Sequence, residues 1–308
     1  MKNYSILTLL GMLCFSITTS LAQTSAEDYF DLGLAKGEQG DYHGAIKAYD
    51  QAIALDPKYQ EAYFNRTIDY MSIGQYDDAL KDINQYISFD RNLLDGYFLR
   101  GNIYLESGNL KLAIKDYSKC IIDDPEWSDV YFNRAVAYEG LENFQAAYED
   151  YSKTISLSSG DADAYFNRAL LLDEVFSNYE EAIKDYDMVI YLNPDDAIAY
   201  SNRAYTYEML GNILDAIKDY EKAIELLPED YYAYGGLAGI YIDLNKNQEA
   251  IDLLTRAIAL NPNDGWLYYN RGVAYFNSGI YTEACSDWRQ ADSRKYPDAK
   301  SALKEDCR

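Results

Sequence analysis

The chain has 308 residues and a formal charge of −24, with 51 Asp and Glu against 27 Lys and Arg; such a balance argues against phosphate backbones and anionic headgroups as partners. A hydrophobic fraction of 48% with 33 tyrosines excludes a disordered acidic tail. One histidine, His43, and four cysteines leave few ligands for a zinc site.

The chain opens with Lys2 and an apolar stretch from Ile6 to Leu21, closed by Ser20-Leu21-Ala22. This predicts a signal peptide over 1–22, cleaved before Gln23. The stretch is short for a membrane span of ~20 residues, and Leu13 is too bulky before Cys14 for lipoprotein processing. No later apolar run approaches membrane length, so no membrane insertion is expected after cleavage. The expected product is an exported protein of bacterial style, periplasmic or extracellular. In that oxidising setting Cys120, Cys285 and Cys307 are possible disulfide partners.

The six prolines, Pro57, Pro125, Pro194, Pro228, Pro262 and Pro297, are separated by 68, 69, 34, 34 and 35 residues. Arg91 and Ser159 stand where two more would complete the series. A period of ~34 indicates stacked units. Each unit reads as two helices. The first opens with a block such as Tyr131-Phe132-Asn133-Arg134, and in most units a second tyrosine follows seven residues after the first, two helical turns along the same face. A turn with glycine follows, as at Gly40, Gly74, Gly108, Gly211 and Gly279. The second helix carries Ala45, Ala79, Ala113, Ala147, Ala182, Ala216, Ala250 or Ala284 at the crossing, where small side chains let backbones approach. Four residues later comes a bulky partner, usually tyrosine, with Trp288 last. Proline is expected to stop the helix.

With these positions the sequence resembles the tetratricopeptide repeat family over 26–297, in eight units, the fifth with one extra residue near Phe176-Ser177-Asn178. The resemblance implies an all-α, right-handed superhelical solenoid of helix-turn-helix repeats, with 298–308 as a C-terminal capping helix and tail. That helix should turn back on the last repeat, which predicts a Cys285–Cys307 disulfide, whereas Cys120 reads as a buried core residue.

Six units carry an arginine in the first helix and an aspartate in the second: Arg66 with Asp82, Arg100 with Asp116, Arg134 with Asp150, Arg168 with Asp185, Arg203 with Asp219 and Arg271 with Asp287. Units one and seven have Leu32 with Ala48 and Leu237 with Leu253, so both charges vanish together. The pair is therefore expected to join the two helices of one unit.

In this family the first helices line a concave groove that takes partner polypeptides. The resemblance places Phe64, Phe132, Phe166 and Tyr269 there, beside Asn65, Asn133, Asn167, Asn202 and Asn270. A row of amides can hold a peptide backbone without reading its side chains; it can equally bridge neighbouring helices, and the aromatic stripe can be packing. An acidic edge that includes Glu61, Asp95, Asp129, Asp163, Glu139, Asp173, Glu174 and Glu208 favours a basic or amphipathic segment. Phe30, Phe64 and Phe98 stand where a carboxylate-clamping lysine is needed, which argues against that mode. Tyr234-Gly235-Gly236-Leu237-Ala238-Gly239 reads as a recess or hinge. No catalytic constellation, cofactor site or metal site is legible, and Asp161-Ala162-Asp163 and Asn193-Pro194-Asp195-Asp196 read as turns and helix caps. Two functions remain: a non-enzymatic exported scaffold for protein–protein interaction, in cell-envelope assembly, or a binding module for an envelope glycan or small ligand.

Overall fold

The structure, a computed structural model, describes residues 25–307. The expected signal peptide over 1–22 and Cys14 lie outside the described residues. All regular structure among the described residues is helical and falls into two compact units, one through Gly96 and one from Tyr97.

The first unit contains α1 (Ala26–Glu38), α2 (Tyr42–Leu55), α3 (Gln60–Ser72), α4 (Tyr76–Phe89) and the opening of α5 (Leu94–Glu106). The second continues α5 and adds α6 (Leu110–Asp123), α7 (Ser128–Glu139), α8 (Phe144–Leu157), α9 (Ala162–Leu170), α10 (Tyr179–Leu192), α11 (Ala197–Met209), α12 (Ile213–Leu226), α13 (Tyr231–Asp243), α14 (Asn247–Leu260), α15 (Gly265–Asn277), α16 (Tyr281–Ser293) and α17 (Ala299–Asp306). Within each unit, consecutive helices pack as hairpins, and the second helix of one hairpin packs on the first of the next.

Local chemistry sets the ends. Ser25 and Asp28 form a reciprocal capping box at α1. Asp161 and Asp196 accept from the Ala164 and Ala199 backbone N–H groups at 3.0 Å, as expected of cap segments. Gly40, Gly74, Gly108, Gly211 and Gly279 all take positive φ in the turn between the two helices, which glycine adopts without a Cβ penalty. Glu142, Ser177 and Asn245 take the same conformation in repeats four, five and seven. The second helices end on an extended residue before the proline, Asp56 and Asp124 for example, and Asp90 and Ser158 end theirs in the same way with no proline following. Proline therefore marks the boundary without creating it.

The fifth repeat absorbs its extra residue inside the first helix. α9 passes into a π-helical turn over Leu171–Val175, where the Phe176 N–H donates to the Leu171 carbonyl. Each crossing alanine named above is fully buried, and the ring four residues on, Tyr49, Tyr117, Tyr151, Tyr186, Tyr220 or Trp288, is at most 3% exposed. Full burial of one such side chain is worth about 1.5–3 kcal/mol, so this column supplies the core repeat after repeat. α17 packs on α16, and Cys285 and Cys307 are disulfide-bonded. Cys120 is buried outside that bond.

Candidate functional site

The charged block resolves into a clasp inside each hairpin. In all six repeats the arginine Nε and Nη2 donate to the two oxygens of the expected aspartate at 2.6–2.9 Å. The aspartates are 4–7% exposed. Each guanidinium also lies over the first tyrosine of its own block, and those of Arg66, Arg134, Arg203 and Arg271 lie over the second as well, an attraction between cation and ring faces. The hydrogen bonds to Asp116 and Asp287 hold the Arg100 and Arg271 guanidinium groups above the ordinary arginine range.

The third donor, Nη1, reaches the second helix of the preceding repeat: Arg66 to Asp50, Arg134 to Ser118, Arg168 to Ser152, Arg203 to Asp187 and Arg271 to Thr255. Sequence reasoning missed these acceptors. Their signal was a polar residue always sixteen positions before the arginine. One arginine thus ties two helices of its own repeat and the repeat before it.

The aromatic stripe is anchored in the same core. In the first unit the Phe64 ring lies 5.0 Å from Tyr86. In the second, Phe132 lies 5.6 Å from Tyr151, Phe166 lies 6.0 Å from Tyr186, and Tyr269 lies 4.9 Å from Tyr296. The amides are also held. Asn65, Asn202 and Asn270 donate to the carbonyls of Glu61, Ile198 and Trp266 one turn earlier, whereas Asn133 donates to Asn102 Oδ1 at 3.0 Å and Asn167 to the Tyr151 hydroxyl at 3.3 Å. Asn133 and Asn167 therefore do bridge repeats. All nine of these candidate side chains remain half-buried, with part of each surface open.

A second pattern was not legible in the sequence. The buried second-helix tyrosines pass their hydroxyls through to the first-helix side. Tyr117 donates to Asn102 at 2.7 Å, Tyr151 to Glu139, and Tyr220 to Glu208 at 3.3 Å. Burial pushes the carboxyls of Glu139 and Glu208 above the ordinary glutamate range. A recess of about 300 Å³ opens in the second unit, lined by Phe98, Asp129, Phe132, Asn133, Asp161 and Asp163. Another, of about 380 Å³, lies in the first unit beside Leu32, Lys36, His43 and Lys47, in repeat one, which like repeat seven lacks the clasp.

In the seventh repeat α13 runs unbroken through its glycines. A Cβ at Gly235 would stand 2.4 Å from the Trp266 ring, and one at Gly236 would stand 2.4 Å from the Tyr220 ring. Neighbouring aromatics thus fill two of the three positions, and only Gly239 faces open space.

Repeated helical hairpins, packed through small-residue crossings and in six of the eight repeats pinned by an internal ion pair, define an α-repeat protein whose first helices present a continuous pattern of rings, amides and carboxylates within each unit. Family models described as TPR repeat match residues 33–66, 177–211 and 238–279, and models described as tetratricopeptide repeat match 94–121, 128–161 and 197–230. The chain belongs to the tetratricopeptide repeat family. No curated protein matches it in sequence. Among solved structures it resembles a tetratricopeptide repeat protein from Parabacteroides merdae ATCC 43184, at 22% identity and a TM-score of 0.59 over 81% of this chain and 99% of that one. It also resembles the C-terminal part of a TPR repeat-containing protein from Cytophaga hutchinsonii, at 22% identity and a TM-score of 0.67 over 78% and 98%. A third is YrrB, described as a TPR protein with an unusual peptide-binding site, at 23% identity and a TM-score of 0.52 over 61% and 96%. At these identities the likeness is one of fold.

Proposed function

We propose that the chain is a non-enzymatic exported scaffold, acting in cell-envelope assembly, that binds a basic or amphipathic polypeptide segment along the first helices of its repeats. The repeat fold is one of protein–protein interaction, and YrrB, of the same fold, is described by its peptide-binding site. The observation that carries the reading is the half-exposed series of Asn133, Asn167, Asn202 and Asn270 beside Phe132, Phe166 and Tyr269 in the second unit. Each amide has two N–H donors and an oxygen, so the single internal bond described for each leaves capacity to engage a backbone. Asn65 and Phe64 repeat the arrangement in the first unit. Export rests on the Lys2-to-Ala22 segment.

The test is affinity capture from the cell-envelope extract of the source cells with the chain from residue 23, read by mass spectrometry. A recurrent protein partner that is lost with Asn133→Ala/Asn167→Ala supports the scaffold. The recess floored by Phe98 and Phe132 and edged by three carboxylates gives the glycan reading its footing, since rings and carboxylates suit a sugar face and its hydroxyls. Retention on envelope polysaccharide that depends on Phe132 and not on the asparagines favours that reading instead.

A further inference from the structure

Repeats four, five and six each place a carboxylate at one equivalent position on the first helix: Glu139, Asp173 and Glu208. In repeats four and six the carboxylate accepts from the buried tyrosine of its own hairpin. Repeat five departs from this. Asp173 lies in the π-helical turn and is 4% exposed. Its Oδ2 accepts from the Thr206 hydroxyl at 2.8 Å, but its Oδ1 has no partner. The corresponding tyrosine, Tyr186, is fully buried, and its hydroxyl also has no partner. Asp173 is the charged group that acts most strongly on that hydroxyl, followed by Glu174. Burial pushes the Asp173 carboxyl above its ordinary range, and no cation offsets this.

A buried carboxylate oxygen and a buried hydroxyl left without partners cost free energy that a bound donor would recover. We propose that Asp173 and Tyr186 form a pocket for one primary ammonium group, the side chain of a lysine in the bound segment. The assignment rests on reading the first helices as a polypeptide-binding face. Thr206 already takes up one acceptor site of Oδ2, so the fully unpartnered acceptors are Oδ1 and the separate Tyr186 hydroxyl; separated acceptors suit a compact ammonium with rotatable donors better than the planar fork of an arginine. Tyr205, 47% exposed and next to Thr206 on α11, is the exposed ring nearest in sequence to the carboxylate's partner, against which the cation and its methylene stem can lie. The insertion that makes the π-helical turn is the feature that separates repeat five from its neighbours, and such turns recur at functional sites.

The test uses n-butylammonium chloride as the probe, titrated at neutral pH and constant ionic strength against the chain carrying 13C at the tyrosine ring carbons. Saturable shifts confined to Tyr186 and Tyr205 are expected, with none from n-butanol. Asp173→Asn, nearly isosteric, should weaken the apparent affinity at least about tenfold, and Tyr186→Phe should weaken it several-fold. Thr206→Val frees the second carboxylate oxygen and should shift preference toward n-butylguanidinium. Shifts that grow without saturating, spread evenly over the tyrosines or survive Asp173→Asn overturn the pocket. A saturable site on a chain that captures no polypeptide removes the scaffold reading and leaves the pocket; a captured polypeptide indifferent to Asp173→Asn does the reverse.

Discussion

Removing one partner from the arginine clasp should cost far more than removing both. Arg134 and Asp150 have side chains 17% and 8% exposed and are joined by bonds of 2.7 and 2.8 Å. Asp150→Leu alone strands a desolvated guanidinium, and breaking a buried pair this way costs about 3–5 kcal/mol. The lower end is expected here, because Arg134 keeps Ser118 and the rings of Tyr131 and Tyr138. The double variant Arg134→Leu/Asp150→Leu copies repeat seven, where Leu237 is 3% exposed and faces the position of Leu253. Its cost should stay within about 1 kcal/mol, since an apolar replacement of a buried pair is often neutral. Repeat arrays need not unfold as one unit, so the readout is native-state hydrogen exchange of α7 and α8 amides across the four members of the cycle. A coupling free energy above about 2 kcal/mol is expected. If Asp150→Leu costs less than about 1 kcal/mol, or the two single losses simply add, the clasp does not fix the hairpin.

Asp69, 6% exposed with an unpartnered Oδ2, has its carboxyl pushed by burial up to about 6, from an ordinary value of 3.8. The folded form holds that proton where the unfolded chain has released it, so stability of the first unit should fall as pH rises from 3.8 to 6 and then level, by at most about 3 kcal/mol. Hydrogen exchange of α1 and α3 against pH should show that slope, and Asp69→Ala, which copies Ala137 of repeat four, should abolish it. Cys307→Ser should deprotect α17 while leaving α9 to α12 unchanged; the bond closes a 22-residue separation, for which chain entropy suggests about 3 kcal/mol, and the denatured, unreduced chain from residue 23 should show one thiol by alkylation. Gly272→Ala drives a Cβ to 2.6 Å from the Trp288 indole and should cost about 1–3 kcal/mol. Gly239→Ala meets nothing and should gain up to about 1 kcal/mol from helix propensity, so the two urea midpoints should move in opposite directions.

What was legible in the sequence was whatever recurs at a fixed spacing. The arginine–aspartate pairing could be inferred because both residues disappear together in repeats one and seven, and every surviving pair is bonded as expected. The Cys285–Cys307 bond was legible from the placement of a capping helix over the last hairpin. Three things were not. The extra residue of repeat five was placed at Phe176-Ser177-Asn178, but a helix accommodates an insertion wherever the hydrogen-bond ladder slips most easily, here over Leu171–Val175. Glu142, Ser177 and Asn245 show no glycine to announce their left-handed turns. The hydroxyls of Tyr151 and Tyr220 act on the opposite side of the hairpin from their backbones, a relation that exists only once two helices have packed.

The clasp also decides the charge that the first helices can offer. Nε and Nη2 of Arg134 are spent on Asp150 and Nη1 on Ser118, and Arg168, Arg203 and Arg271 are committed in the same manner. These arginines are structural cations: each neutralises a buried aspartate and is turned toward the preceding second helix, away from any ligand on the first. The carboxylates of Asp129, Asp163, Glu139, Asp173 and Glu208 have no such internal cation among the described ion pairs. A partner that approached with carboxylates of its own would meet uncompensated negative charge and no available guanidinium, whereas a segment with spaced lysines would supply the missing counter-charge repeat by repeat. On the proposed scaffold reading, the placement of the arginines, more than the total of −24, is what favours a basic segment.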